Sequence, residues 1–326
     1  MRLCVVMSTC AVRSNPDTAV ITRVLGSLLL IRGLFPEHRL VVICDGVKVL
    51  SEDSTRRPKF KSAIVTQEQA QRYAEFIDRL ELYLDSHDVF RRCGRVLRFS
   101  RNFGFAGLVQ WAVESPDVAA ECEFVLVLQH DWVFRRGFCL EEVVAAFDDS
   151  RVNYLTFSSL SSEENRQQLL DLGWDITSPL RVNGVSVLPL GFFYDRNHIC
   201  RVSFYRERVF RKYLNKRSSR WQKQTKRFIE DSFGHIIKEN LKEVGVDQCF
   251  NKWGLALFVE ENEECSRSSS SWKPMLKHLD GRKFLPEETL SSFVAEQKEA
   301  YLQSLEDFVT SSSCSDAESW GIFAVE

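Results

Sequence analysis

Along the first half of the chain, short unbroken apolar runs alternate with longer stretches whose apolar residues recur at helical spacing. The runs at 3–7, 40–44 and 124–128 hold Val, Leu, Ile, Cys, Met and Phe, as strands covered on both faces require. Between them, residues 19–31 are apolar at helical spacing. Tyr73, Phe76, Ile77, Leu80 and Leu84 share one helix face, and a further helix is expected up to Val113. A strand at 96–99, a helix at 140–147 and a strand at 153–157 extend the β-α-β rhythm. That rhythm predicts an α/β fold with a mostly parallel central sheet flanked by helices. After residue 160 the pattern changes. Runs at 185–193, 199–204 and 255–259 read as strands on short loops, and Ile229, Phe233, Ile236, Ile237, Leu241 and Val244 fall on one helix face. Residues 260–271 read as a polar loop, Pro286 opens a last helix, and 311–326 forms a small, polar tail.

With 326 residues, 44% of them hydrophobic and 27% charged, the chain can bury a full core. It offers no apolar stretch long enough to span a bilayer and no secretory leader, since residues 2–7 read at once as a strand. The ten Cys are scattered, without a CxxC pair or a zinc-site spacing. Cys4, Cys10, Cys44 and Cys122 lie in or beside strands and read as reduced core thiols, which points to a cytosolic or nuclear setting. The net charge of -2 conceals an uneven distribution. Residues 206–227 carry ten Lys or Arg against one Glu, a local +9 with Tyr213 and Trp221 among them. Such a run is either a solvated face or the footprint of a polyanion such as nucleic acid.

Candidate chemistry sits where the apolar runs stop. The run at 124–128 ends in Gln129, His130 and Asp131, and Trp132, Val133 and Phe134 then lead back into apolar surroundings. A carboxylate between a buried strand and an apolar return is costly unless compensated, and a divalent metal carrying a phosphate would compensate it. A turn-capping role is the alternative. Asp45 ends the second strand and belongs at the same sheet edge, where open α/β sheets bind ligands. There it could accept from a nucleobase or ribose, or simply shape the Asp-Gly turn. Asn102, Gly104 and Gly107 open a helix after a strand, a pattern that favours an anion, with Arg101 beside it. Glu230 and Asp231 stand where an apolar helix begins, as dipole complements or as a general base. His278 lies between apolar neighbours before a turn, flanked by Lys277 and Arg282, and could be a metal ligand.

The order of these elements resembles GT-A nucleotide-sugar-dependent glycosyltransferases, in the broad family-2-like group. Gln129, His130 and Asp131 match the family's DXD motif with Gln in place of the first Asp. Glu230 and Asp231 resemble the acceptor-activating ED motif of inverting members. Residues 277–282 look like the late segment whose His completes the metal shell. The resemblance covers most of residues 1–285. It implies a nucleotide-sugar-binding half at 1–160, and an acceptor and catalytic half of the same domain, mixed β/α, at 161–310. Mn²⁺ or Mg²⁺ would be held by Asp131 and His278 against the diphosphate of a nucleotide-diphosphate-sugar donor. Ser8, Thr9, Arg13 and Asp45 would hold the nucleoside. Arg101, Asn102, Gly104, Gln129, His130, Lys277 and Arg282 would complete the donor site. Asp231 or Glu230 would deprotonate the hydroxyl of a carbohydrate, glycoprotein or other acceptor, with inversion. The rival readings are a glycosyltransferase acting on a nucleic-acid base, a nucleotidyltransferase, and a non-enzymatic nucleic-acid-binding module.

Overall fold

The computed structural model of the chain describes residues 2–51, 54–119, 121–160, 162–174, 179–214, 228–260 and 274–279. Nine strands form one sheet: β1 (Leu3–Thr9), β2 (Arg39–Cys44), β3 (Gly94–Arg98), β4 (Phe124–Gln129), β5 (Tyr154–Thr156), β6 (Leu180–Val182), β7 (Val185–Pro189), β8 (His198–Arg201) and β9 (Leu255–Phe258). Their order is β6-β7-β9-β5-β8-β4-β1-β2-β3. Only β7 and β8 run against the other seven, so the expected mostly parallel sheet is observed, and it continues without a break past residue 160.

The unbroken apolar runs are strands because both sheet faces are covered. In β1, β2 and β4, alternate residues enter two separate cores. Val5, Val42 and Leu126 pack on one face, and Val6, Val41 and Val127 on the other. Each such side chain contributes about 1.5–3 kcal/mol on burial. Helix α2 (Gln67–Ser86) buries the five residues whose spacing predicts it: Tyr73, Phe76, Ile77, Leu80 and Leu84. Thr66 starts it through a capping box, accepting from Gln69 N–H while the Gln69 side chain accepts from Thr66 N–H.

Several elements differ from the periodicity. Helix α1 (Ala19–Ser27) stops before residue 31, and Ile31 and Arg32 instead pair with Phe138 and Cys139. A row of apolar residues cannot say where a helix yields to an extended turn. Strand β8 ends at Arg201, after which the chain coils through Phe204–Leu214, burying Phe204, Tyr205, Val209 and Phe210. The helix Ser162–Asp171 is not legible in the sequence, because it buries polar residues. Within it, the Asn165 side chain donates to Pro189 O and accepts from Gly191 N–H. The helix face read from Ile229 to Val244 is split between a wide turn, Glu230–Gly234, and the helix His235–Trp253, which breaks at Gly245. The helix expected from Pro286, the tail 311–326, residues 261–271 of the expected polar loop and residues 215–227 of the basic run lie outside the described residues.

The chain moves outward from β1 to β2 and β3, then returns to place β4 on the other side of β1. This reversal makes a topological switch point between β1 and β4, the place where open α/β sheets bind ligands. Register brings the strand ends level, with Ser8 opposite Gln129 and Thr9 opposite Cys44. Asp45 and Asp131 therefore emerge at one edge. Among the described residues no helix is long and apolar enough to cross a membrane.

Candidate active site

A cleft of about 880 Å³ opens at that edge, lined by the end of β1 and the loop after it (Ser8 to Arg13), by Asp45, by the start of the helix Gly104–Glu114, and by Gln129, His130 and Asp131. Its remaining wall is the segment between β2 and α2, including Lys48, Lys59, Phe60 and Lys61, with Phe105 and Phe228 facing it. Four cations, Arg13 and these three lysines, thus rim a pocket whose two lining carboxylates, Asp45 and Asp131, are buried. The local field favours an anionic ligand.

Asp131 is 5% exposed. Its Oδ2 lies 3.2 Å from His278 Nε2, across 147 residues of chain. A small antiparallel ribbon makes the meeting possible. Leu276, Lys277 and His278 pair with Phe134, Val133 and Trp132, and Leu279 N–H donates to the Asp131 carbonyl at 2.7 Å. Met275, Leu276 and Leu279 are buried, so apolar packing seats the segment, while Ser158 accepts from Leu276 N–H and, through its hydroxyl, from Met275 N–H. The His278 ring lies against Trp132 at 4.9 Å and remains partly exposed. One carboxylate and one imidazole make a donor set suited to a divalent ion whose other ligands come from substrate oxygens. Among the described residues no third acidic, Cys or His group joins them.

Asp45 is spoken for by protein donors. Its Oδ1 accepts from Gly46 N–H and Phe103 N–H, and its Oδ2 from the Asn102 side chain and Gly104 N–H. The amides of the helix start, read as an anion cradle, thus already hold an anion, the chain's own. Burial pushes the Asp45 carboxyl above the usual range, and these four donors pull it back. Asp45 and Asn102 form the floor of the cleft. Gly46 allows this closeness, because a Cβ there would lie 2.5 Å from the Arg101 backbone. Arg101 itself is exposed and does not line the cleft. Thr9 and His130 line the cleft, and Thr9 Oγ1 and His130 Nε2 are buried without a hydrogen-bond partner among the described residues.

Behind the Gln129, His130 and Asp131 turn lies a buried polar cluster that sequence reasoning missed. Asn197 is fully buried, accepts from Gln129 N–H at 3.3 Å and donates to Trp132 O at 3.0 Å, clamping both ends of the turn. Gln129 reaches back to donate to Asp195 O. Arg196 donates to Ser159 and Thr156 and lies over the Tyr194 ring at 4.3 Å. His198 donates from Nδ1 to Arg196 O and accepts from Tyr205 O–H at Nε2, and burial lowers its pKa to about 3, so it is neutral. The available signal was four consecutive polar residues, Asp195 to His198, embedded in an apolar stretch.

The same cluster reaches Glu230 by two reciprocal bonds. Asp195 N–H donates to Glu230 Oε2 at 3.1 Å, and Glu230 N–H donates to Asp195 Oδ2 at 3.2 Å. Burial first, and Glu230 second, push the Asp195 carboxyl well up, while burial also raises Glu230. Asp231 is exposed. Lys277 sits half-buried in the ribbon, and Arg282 lies outside the described residues. In the basic run, Arg206 turns inward to donate to Val113 O and Ala119 O.

No protein-family model and no curated protein matches the sequence. Among solved structures, the chain is similar in shape to the galactosyltransferase LgtC in complex with donor and acceptor sugar analogs, at 12% identity over 91% of this chain and 95% of that one, TM-score 0.43. It is also similar to S. aureus TarS 1-349 in complex with UDP-GlcNAc, at 14% identity over 95% and 72% of the two chains, TM-score 0.35. A third is the mannosyltransferase PcManGT from Pyrobaculum calidifontis in complex with GDP-Man and Mn2+, at 11% identity over 95% and 64%, TM-score 0.37. The first is named as a galactosyltransferase and the third as a mannosyltransferase.

Proposed function

We propose that the chain transfers a sugar from a nucleoside-diphosphate donor to an acceptor hydroxyl. The observation that carries this reading is the meeting of Asp131 with His278 beside a cation-rimmed cleft at the switch point of the sheet. Asp131 and His278 would hold Mn²⁺ or Mg²⁺, which when bound supplies positive charge to the departing diphosphate. Ser8, Thr9 and Arg13 face the nucleoside, with Asp45 and Asn102 fixing the floor beneath it. Lys48, Lys59 and Lys61 balance the phosphate charge. Gln129 and His130, clamped by Asn197, set the approach to the sugar.

The acceptor oxygen attacks the anomeric carbon as the carbon–oxygen bond to the diphosphate breaks. The diphosphate leaves with the electron pair, and a carboxylate takes the acceptor proton. A single displacement of this kind inverts the anomeric centre. Asp231 suits the base, because it is exposed to an incoming hydroxyl. Glu230 has one oxygen committed to Asp195 N–H and acts by holding the turn in place. Asp231→Ala should lower kcat by about 10²–10⁴, the range of general-base catalysis, and Glu230→Ala by less. Two mild losses would remove the base from this turn.

The direct test incubates the protein with a panel of nucleotide sugars and reads nucleoside-diphosphate release, with Mn²⁺, with chelator, and with Mn²⁺ restored. Release that falls in chelator and returns with Mn²⁺ is expected. Undiminished release in chelator would leave His278 a structural partner of Asp131, and pyrophosphate release from nucleoside triphosphates would replace the reading with nucleotidyl transfer.

A further inference from the structure

Beyond the segment 57–60 lies a second pocket of about 370 Å³, bordered by Arg13, Arg57, Arg72, Asn15 and Gln69. It shares Val12, Arg13, Pro58 and Phe60 with the main cleft but includes neither Gln129 nor Asp131. No carboxylate lines it, and among the described residues none of its three arginines makes an ion pair. Three arginines border one small cavity, and their summed positive charge favours an anion there. A second observation points the same way. Asn15 is 2% exposed, and its side-chain oxygen is taken by Val12 N–H at 2.7 Å. Its Nδ2 is buried and has no partner among the described residues. A buried amide donor left open is costly, and Asn15 is one of the residues that line this pocket. Gln69 is fixed by the capping box at the start of α2, so this wall is rigid.

We propose that this pocket is a phosphate-binding subsite, distinct from the place where a donor diphosphate would meet Asp131 and His278. Planar guanidinium forks match tetrahedral oxyanions by paired hydrogen bonds, which a lysine cannot reproduce. The phosphate is either a free ion or a group carried by a larger molecule that reaches over Phe60 from the cleft.

Calorimetric titration of the full chain with inorganic phosphate, at low and high salt, tests the assignment without any donor sugar, so its outcome is independent of glycosyl transfer. Arg57→Ala and Arg72→Ala should each weaken phosphate binding about tenfold, the worth of one charged hydrogen-bonding partner. Arg57→Lys should recover only part of the loss, and Arg101→Ala, at an exposed arginine that lines neither pocket, should leave binding unchanged. All of these replace exposed or cleft residues, and an unaltered melting temperature verifies folding. Phosphate binding that survives the double Arg57→Ala and Arg72→Ala variant, or its absence in the parent chain, overturns the proposal. Phenyl phosphate binding as tightly as inorganic phosphate assigns a carried phosphate; binding of inorganic phosphate alone assigns the free ion.

Discussion

Asp131→Asn is expected to abolish nucleoside-diphosphate release while leaving the fold intact. The substitution keeps the shape of the side chain and removes its charge. The backbone carbonyl of Asp131 still accepts from Leu279 N–H, so the ribbon that carries His278 stays seated. Asn197 still clamps the turn from both ends. What disappears is the carboxylate that, with His278, would hold the cation neutralising the leaving group. Loss of one preorganised charge-stabilising group costs about 10²–10³ in kcat, and a metal-holding carboxylate should lie at or above that range. The measurement is single-turnover release beside a thermal melt. A variant that melts like the parent and still turns over at a comparable rate would sink the assignment.

Gly254→Ala is expected to produce the largest loss of stability. Gly254 ends the helix His235–Trp253 with φ +64°, the left-handed conformation that disfavours a side chain. Its N–H donates to Phe250 O, and its carbonyl accepts from Asn153 N–H and Tyr154 N–H. It thus ties the helix end to the start of β5 just as β9 begins. An added Cβ would lie 1.7 Å from Arg151 O, a backbone atom that cannot rotate away. The left-handed conformation alone costs about 1–2 kcal/mol, and the collision adds to it. At roughly 2–4 °C per kcal/mol, the melting temperature should fall by at least several degrees. Gly184→Ala is the control, since Gly184 has φ +83° but nothing within 4 Å of an added Cβ. Equal melting temperatures for the two variants would mean that Arg151 does not press on Gly254.

Glu230 and Asp231 show what adjacency in sequence conceals. Both open the same turn, yet burial raises Glu230 and binds it to Asp195, while Asp231 faces solvent. Nothing in two neighbouring acids distinguishes these fates. The distinction comes from Asp195, which is 35 residues away along the chain and belongs to the polar cluster behind the turn of Gln129, His130 and Asp131.

By itself, the sequence determined the buried strands, the amphipathic face of α2 and the emergence of Asp45 and Asp131 at one sheet edge. These follow from local periodicity, which neighbouring residues carry and an alternating αβ order converts into parallel pairing. It also marked His278 as a candidate ligand, from its place between apolar neighbours before a turn and from the family resemblance of residues 277–282. Tertiary structure alone decided the rest. Asp45, expected to accept from a nucleobase or ribose, proved to accept from the helix-start donors expected to favour an anion, because Asn102, Phe103 and Gly104 come from a different loop. Asn197 became the clamp of the turn, and the segment 57–61 became a wall of the cleft, because β8 and the β2–α2 connection fold against a strand end distant in sequence. Hydrogen bonds and cavities between remote segments have no period, so no local pattern records them, whereas burial of a strand or helix face does.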